Sequence, residues 1–235
     1  MFVDLVENLA MLVTLCWLHG TIMRYVKGHE LFGKICAGFL YGVVCIVGMM
    51  NPLVLGNGLI FDGRSVVLSM SALFGGPWVG AIAGAIAGLY RFWIGGVGVV
   101  PGVLSVLMTV LMGLFFHYFH QHRRVPINAI SLLIFGGMVQ ALQILIFTLL
   151  PREQFALFLD HALWPMLVVL LPSTLVLGLL LRDVHQQKID RDSLHESEAY
   201  LRAITDAVPD LAVVLDEDGR YIRIKAPDNE LLFAD

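Results

Sequence analysis

The 235 residues are 58% hydrophobic and 14% charged, with a mean hydropathy of +0.80, a balance that excludes an ordinary soluble domain and puts most of the chain in lipid. The net charge of −4 hides a division: residues 1–182 carry nine Lys/Arg against six Asp/Glu, residues 183–235 six against thirteen. The last stretch therefore reads as a separate, soluble, acidic piece. Cys16, Cys36 and Cys45 lie in apolar runs without CxxC spacing, so they indicate small core hydrophobes and not a disulfide framework or a zinc site.

Apolar segments run over about residues 3–23, 31–50, 64–76, 77–94, 101–119, 127–150 and 162–181. The first carries Asp4 and Glu7 and no basic leader, so it reads as a retained helix. Most segments have the ~20 residues a spanning helix needs; the third is too short and reads as a half-helix joined to the fourth through Gly75-Gly76-Pro77. The expected fold is an all-α polytopic membrane bundle of six or seven helical pieces. Loop charge orients it: with the N-terminus outside, Arg24, Lys27, Lys34, Arg123, Arg124 and Arg182 fall on the cytoplasmic side and Arg64, Arg91 and Arg152 outside.

In that topology Arg64, at the start of the third segment, and Arg91, near the end of the fourth, converge at the outer rim. Pro101-Gly102 opens the fifth segment there, after Gly95, Gly96 and Gly98, and a helix start offers N–H groups and a positive dipole end. Ser105, one turn in, adds a hydroxyl, and Asp62 is placed to hold Arg64. Planar guanidinium forks match a carboxylate. Two readings stay open on the residues alone: a small anion pocket, or arginines that snorkel to headgroups with Arg64 satisfied by Asp62.

Gly80, Gly84 and Gly88 read as a close-packing stripe. His117, His120 and His122 beside Arg123-Arg124 read as a solvated positive end in preference to a metal site. Gln140 and Gln143, mid-segment in the sixth piece, are expected to hydrogen-bond between helices, and Pro165 and Pro172 to bend the last. Residues 183–208 read as a cytoplasmic signalling helix with Leu194, Leu201, Ile204 and Val208 at heptad-like spacing, which points to a homodimer. His195-Glu196 lacks the surround of a phospho-accepting histidine. Leu211–Leu215 and Arg220–Ile224, about the turn at residues 216–219, read as a β-hairpin, the beginning of a further domain that two strands cannot complete.

The residues Asn51-Pro52, Gly58, Phe61-Asp62, Arg64-Ser65-Val66, Leu73-Phe74-Gly75-Gly76-Pro77, Tyr90-Arg91, Gly95-Gly96, Gly98 and Gly102-Val103 resemble the signature of the LytS-type five-transmembrane receptor domain, the 5TMR-LYT family, over about residues 25–182. The tail LRAITDAVPDLAVVLDEDGRYI resembles the opening of a PAS domain. The resemblance implies a sensor in a bacterial inner membrane that takes a small anionic metabolite from outside and signals to a cytoplasmic PAS domain and an output enzyme. That output is expected to be a GGDEF diguanylate cyclase, with a sensor histidine kinase as the alternative. Some family receptors hold pyruvate or similar carboxylates with two arginines, a cysteine and a serine. Arg64, Arg91 and Ser105 fit three of those places, and Gly102 stands at the cysteine's. No cofactor, metal or nucleic acid is expected, and the chain itself carries no catalytic pattern. A transport component and a plain membrane anchor are the rival readings.

Overall fold

The computed structural model describes residues 11, 13–22, 30–50, 53–54, 60–61, 63–96, 98–123, 126–149, 152–207, 212–215 and 221–225. The chain divides into two units, residues 1–186 and 187–235, each taken here by itself. The first unit is helical apart from a short antiparallel pair, β1 (Leu53–Val54) with β2 (Ile60–Phe61), in which Leu53 faces Phe61 and Val54 faces Ile60. Its helices are α1 (Val13–Ile22), α2 (Glu30–Met50), α3 (Arg64–Ile94), α4 (Val99–Arg123), α5 (Ala129–Phe147), the short α6 (Arg152–Leu157), a π-helical turn at Phe158–Ala162, and α7 (Leu163–Ala207). Five of them, α2 to α5 and α7, are long and apolar enough to cross a membrane, and the chain is a multi-pass membrane protein.

α3 is two helices joined at a reversal. Gly76 takes φ +74° and ψ −166°, a region closed to other residues, and Pro77 disfavours helical geometry in the residue before it. A Cβ on Gly80 would lie 2.9 Å from Ala72 Cβ and 3.1 Å from Ala72 Cα, whereas positions eight apart on a straight helix are about 12 Å apart. The two halves therefore fold back on each other. At 1.5 Å per residue the first half, up to Gly75, is about 18 Å long and the second about 27 Å, so the first stops well short of a ~30 Å hydrocarbon core.

That first half is the centre of the bundle. Every residue from Ser65 to Leu73 is buried, as expected of a helix apolar on all sides. Two of its three buried hydroxyls are satisfied within the helix, Ser69 Oγ donating to Val66 O (3.0 Å) and Ser71 Oγ to Leu68 O (2.8 Å). α4 lies hard against it: a Cβ on Gly113 would sit 2.5 Å from Ser69 O and 2.7 Å from Ala72 Cβ. The stripe Gly80, Gly84 and Gly88 is where the second half packs, the last two against Val110 and Val106 of α4. On the other flank, Ile82 and Ile86 fill the space over Gly38 and Gly42 of α2. α5 meets α4 through Phe116 and Phe135, whose ring centroids are 4.7 Å apart, and Leu132 of α5 packs over Gly178 of α7. Cys16 and Cys45 are buried and Cys36 half-buried, all as free thiols.

The broken helix leaves a carbonyl to satisfy. Pro77 has no N–H, so Leu73 O, four residues earlier, loses its usual intrahelical donor. His117 of α4 supplies one: its Nδ1 lies 2.7 Å from Leu73 O, and because a carbonyl only accepts, Nδ1 carries the proton. This corrects the reading of His117 as part of a solvated basic end. His122 does keep that character, exposed and 3.2 Å from its own helix's Tyr118 O.

In the second unit, β3 (Ala212–Leu215) pairs antiparallel with β4 (Tyr221–Lys225), Val213 facing Ile224 and Val214 facing Arg223. The hairpin read from the sequence is present to within one residue at its ends.

Leaving a buried carbonyl unpaired costs about 1–3 kcal/mol. His117→Ala is expected to lower stability by that amount and His122→Ala by less than about 0.5 kcal/mol, both read as unfolding of the purified protein in detergent. Equal losses in the two variants would remove the latch at Leu73.

Candidate functional site

The reversal at Gly76 brings both ends of α3 to one end of the bundle. Arg91 lies in the last turn of the second half, and its Nη1 donates to Gly95 O at 3.1 Å. Gly95 and Gly96, at φ +75° and +89°, turn the chain back at once into α4. The guanidinium then rests on the start of α4. A Cβ on Gly98 would lie 2.8 Å from Arg91 Nη2, and one on Gly102 would lie 2.5 Å from Nε, 3.1 Å from Cγ and 3.2 Å from Cδ. Any side chain at position 102 would therefore displace Arg91. The absent side chain at Gly102 leaves the space in which this arginine lies.

Arg64 opens the first half. Its Nη1 reaches Met49 Sδ at the end of α2, 3.4 Å away. His117 beside Leu73 and Gly113 beside Ser69 show that α4 and the first half run in the same direction with a constant offset. That offset sets Arg64 level with the turn of α4 from Ser105 to Thr109. Ser105, one turn past Gly102, is 1% exposed, and its Oγ has no hydrogen-bond partner among the described residues. Arg64, Arg91, Gly102 and Ser105 thus share one end of the bundle, while Asp62 lies outside the described residues.

The start of α4 offers an anion less backbone than its sequence promises. Val99 N–H donates to Gly96 O (3.2 Å), Gly102 N–H to Gly98 O (2.9 Å), and Pro101 has none. The positive charge at this end is chiefly that of the guanidinia.

Inward from Ser105, the same face of α4 carries Thr109, also 1% exposed, whose Oγ1 accepts from Gln143 Nε2 of α5 at 3.1 Å. Gln140, one turn along α5, is 1% exposed, and neither its amide nitrogen nor its oxygen has a partner among the described residues. Buried polar atoms are almost always paired in folded proteins, so this line, from Ser105 through Thr109–Gln143 to Gln140, marks where a further polar group fits. Thr109 was missed in the sequence. The four-residue step from Ser105 was the available signal, because it puts both hydroxyls on one helix face.

Among the described residues there is no group of three His, Cys, Asp or Glu side chains able to hold a metal. One apolar cavity of about 210 Å³ lies between α4 and α5 at the opposite end, where Leu73 meets Phe116 and Phe135. It is separate from the arginine end.

Known proteins agree with this architecture. A family model described as 5TMR of 5TMR-LYT matches residues 20–184. The chain is 38% identical over 97 residues to Sensor protein LytS of Bacillus subtilis (strain 168), a match covering 41% of this chain and 16% of that protein. It is 23% identical over 211 residues to Sensor protein LytS of a Staphylococcus epidermidis strain (80% and 36%). It is 25% identical over 174 residues to Sensor histidine kinase BtsS of Escherichia coli (strain K12) (70% and 31%). The chain thus spans between about a sixth and a third of the length of these relatives. No solved structure matches it. With the folded-back α3 among five membrane-length helices, and the model matching from residue 20 to residue 184, the chain belongs to the 5TMR-LYT family.

Proposed function

We propose that this chain is the membrane-embedded input module of a bacterial sensor histidine kinase and that it takes a small carboxylate between Arg64 and Arg91. The observation that carries the reading is the buried, unpartnered Ser105 hydroxyl, one turn past the bed of Arg91 and on the turn of α4 level with Arg64, at the end of the bundle to which a chain reversal brings both arginines. Kinase replaces diguanylate cyclase as the output because the relatives named by function are sensor histidine kinases. In this reading the N-terminus and the arginine end face outward, α7 leaves the membrane beyond Arg182, and residues 183–208 lead to a PAS domain that begins at the β3–β4 hairpin. The working unit is a homodimer in the inner membrane.

The chemistry follows from the side chains. A carboxylate accepts paired N–H bonds from a guanidinium fork, and charge-assisted bonds of this kind are about twice as strong as neutral ones. Ser105 Oγ donates to a further oxygen of the ligand. Met49 Sδ is a weak acceptor for Arg64, and an anionic oxygen is a stronger one. A ligand shifts the bundle only by its differential affinity for two arrangements, and the first half of α3 is suited to that role, with Arg64 at one end and the His117 latch at the other.

Four measurements test the reading. A small carboxylate at a hundredfold its Kd raises apparent stability by about 2.7 kcal/mol; the shift is expected in the parent and absent from the Arg64→Ala/Arg91→Ala double variant. A flat response in the parent across a broad carboxylate panel returns both arginines to lipid headgroups. Ser105→Ala removes a hydroxyl that has no partner, so the ligand-free protein should keep its stability, while affinity falls about five- to tenfold, the value of one hydrogen bond. A destabilised ligand-free Ser105→Ala would make the serine a structural residue. Gly102→Ala puts a methyl group where Arg91 Nε now lies and is expected to weaken carboxylate binding by about tenfold or more, as read by isothermal titration; unchanged affinity would take Arg91 out of the site. Flux assays in liposomes separate the receptor from a transporter, since a receptor binds without moving its ligand.

A further inference from the structure

The cavity between α4 and α5 lies at the end of the bundle away from the arginines. Its walls are Phe115, Phe119, Leu132, Phe135 and Met138, with His120 at the rim. The one hydroxyl on the wall, Ser131, is fully used: it accepts from Asn128 N–H at 2.9 Å, and its single proton is shared between the carbonyls of Asn128 and Pro126 at 2.9 and 3.0 Å. Nothing in the cavity would hold water or a polar metabolite, because a buried water needs two to four polar partners. The site is built for hydrocarbon.

Its dimensions and surroundings narrow the occupant. On α5 the lining runs from Ser131 to Met138, about 10 Å at 1.5 Å per residue, with Pro126 and Ile127 just ahead of the helix, so the slot fits within one leaflet, half of a ~30 Å hydrocarbon core. Phe115, Phe119 and Met138 are 51%, 37% and 40% exposed, so the slot opens sideways onto the bilayer. Its Pro126-Ile127 end, the mouth, lies beside Arg182. Arg182 Nη1 donates to the Ile127 carbonyl at 3.5 Å while pairing with Asp183 at 3.0 Å, and His120 is part of the lining. Cationic side chains at the end of membrane helices attract anionic lipid headgroups.

We propose that this slot binds one acyl chain of an anionic phospholipid, with the headgroup phosphate held at the mouth by Arg182 and His120. Neither the carboxylate reading nor the kinase output enters the argument. Because Leu73, the residue latched by His117, forms part of the wall, an occupying chain buttresses the Gly76 reversal from below.

The test is native mass spectrometry of the full chain released from nanodiscs of mixed phosphatidylglycerol and phosphatidylcholine. One phosphatidylglycerol retained per chain, enriched at least fivefold over phosphatidylcholine, is expected of the parent. Met138→Trp fills the slot and should lower retention of both lipids at least tenfold; Phe119→Trp fills it from the α4 side and serves if the first variant unfolds. Arg182→Gln leaves the slot open and should abolish the preference for phosphatidylglycerol while some lipid stays bound. Equal retention of the two lipids by the parent, or undiminished retention in folded slot-filling variants, overturns the proposal. So does a dimer whose formation excludes lipid and is lost on filling the slot, which would make the occupant a second copy of the chain.

Discussion

Everything at the arginine end depends on the hydrogen bond between His117 and the Leu73 carbonyl and on the reversal it secures. A helix that stops inside a membrane protein exposes backbone groups that lipid cannot satisfy, so such breaks survive only where other protein groups satisfy them. Here Pro77 removes a donor, Gly76 supplies the φ the turn needs, and a ring from α4 donates instead. The same reversal fixes depth. Counting from the turn, Arg64 rises about 18 Å and Ile94 about 27 Å, so Arg64 starts about 9 Å below the end of the second half. An arginine at that depth is costly unless it is paired or faces a polar cavity. The fold thus sets a cation below the rim, and the unpartnered Ser105 lies on the neighbouring turn of α4.

The buried polar residues form a graded series. Ser69 and Ser71 bond to carbonyls of their own helix and cost the bundle little. Thr109 and Gln143 satisfy each other across α4 and α5, which ties those helices in register. Ser105 and Gln140 stand on either side of that pair with no partner of their own. Local satisfaction explains the first class and helix pairing the second; the third leaves unmet hydrogen-bonding capacity that a polar guest would fill. Its members lie along one line leading inward from the arginines, so a guest at Ser105 is one turn from a hydrogen bond that holds α5. Displacement there has a direct route to α7, against which α5 packs through Leu132 and Gly178.

Much of this was legible because membrane physics makes length informative. An apolar run of about thirteen residues cannot span, and Gly75-Gly76-Pro77 can only be a break, so the half-helix and the shared end of Arg64 and Arg91 followed from spacing alone. What escaped depended on contacts remote in sequence. His117 sits among His120, His122 and Arg123, a context that reads as a wet basic end, and its partner is 44 residues away. The π-helical turn at Phe158–Ala162 left no mark in a stretch read as a loop. The small residues 98 and 102 read as features of a tight connection; their second use, as the bed for a guanidinium, required knowing where Arg91 turns.

That second use bears on what the site can recognise. A thiol at position 102 and the Arg91 side chain in its present place exclude one another, since Nε occupies the volume of a Cβ. With glycine at that position the guanidinium is drawn down onto the backbone of α4, with Nη1 tethered at Gly95 O. A tethered fork is pre-organised and loses less freedom on binding, but it approaches the ligand from a fixed direction. In the proposed reading, recognition rests on Arg91, Arg64 and Ser105: the groups offered to a carboxylate are charged and the nearest further group is a hydroxyl, a set that would favour an anion carrying a second oxygen one or two bonds from its carboxylate.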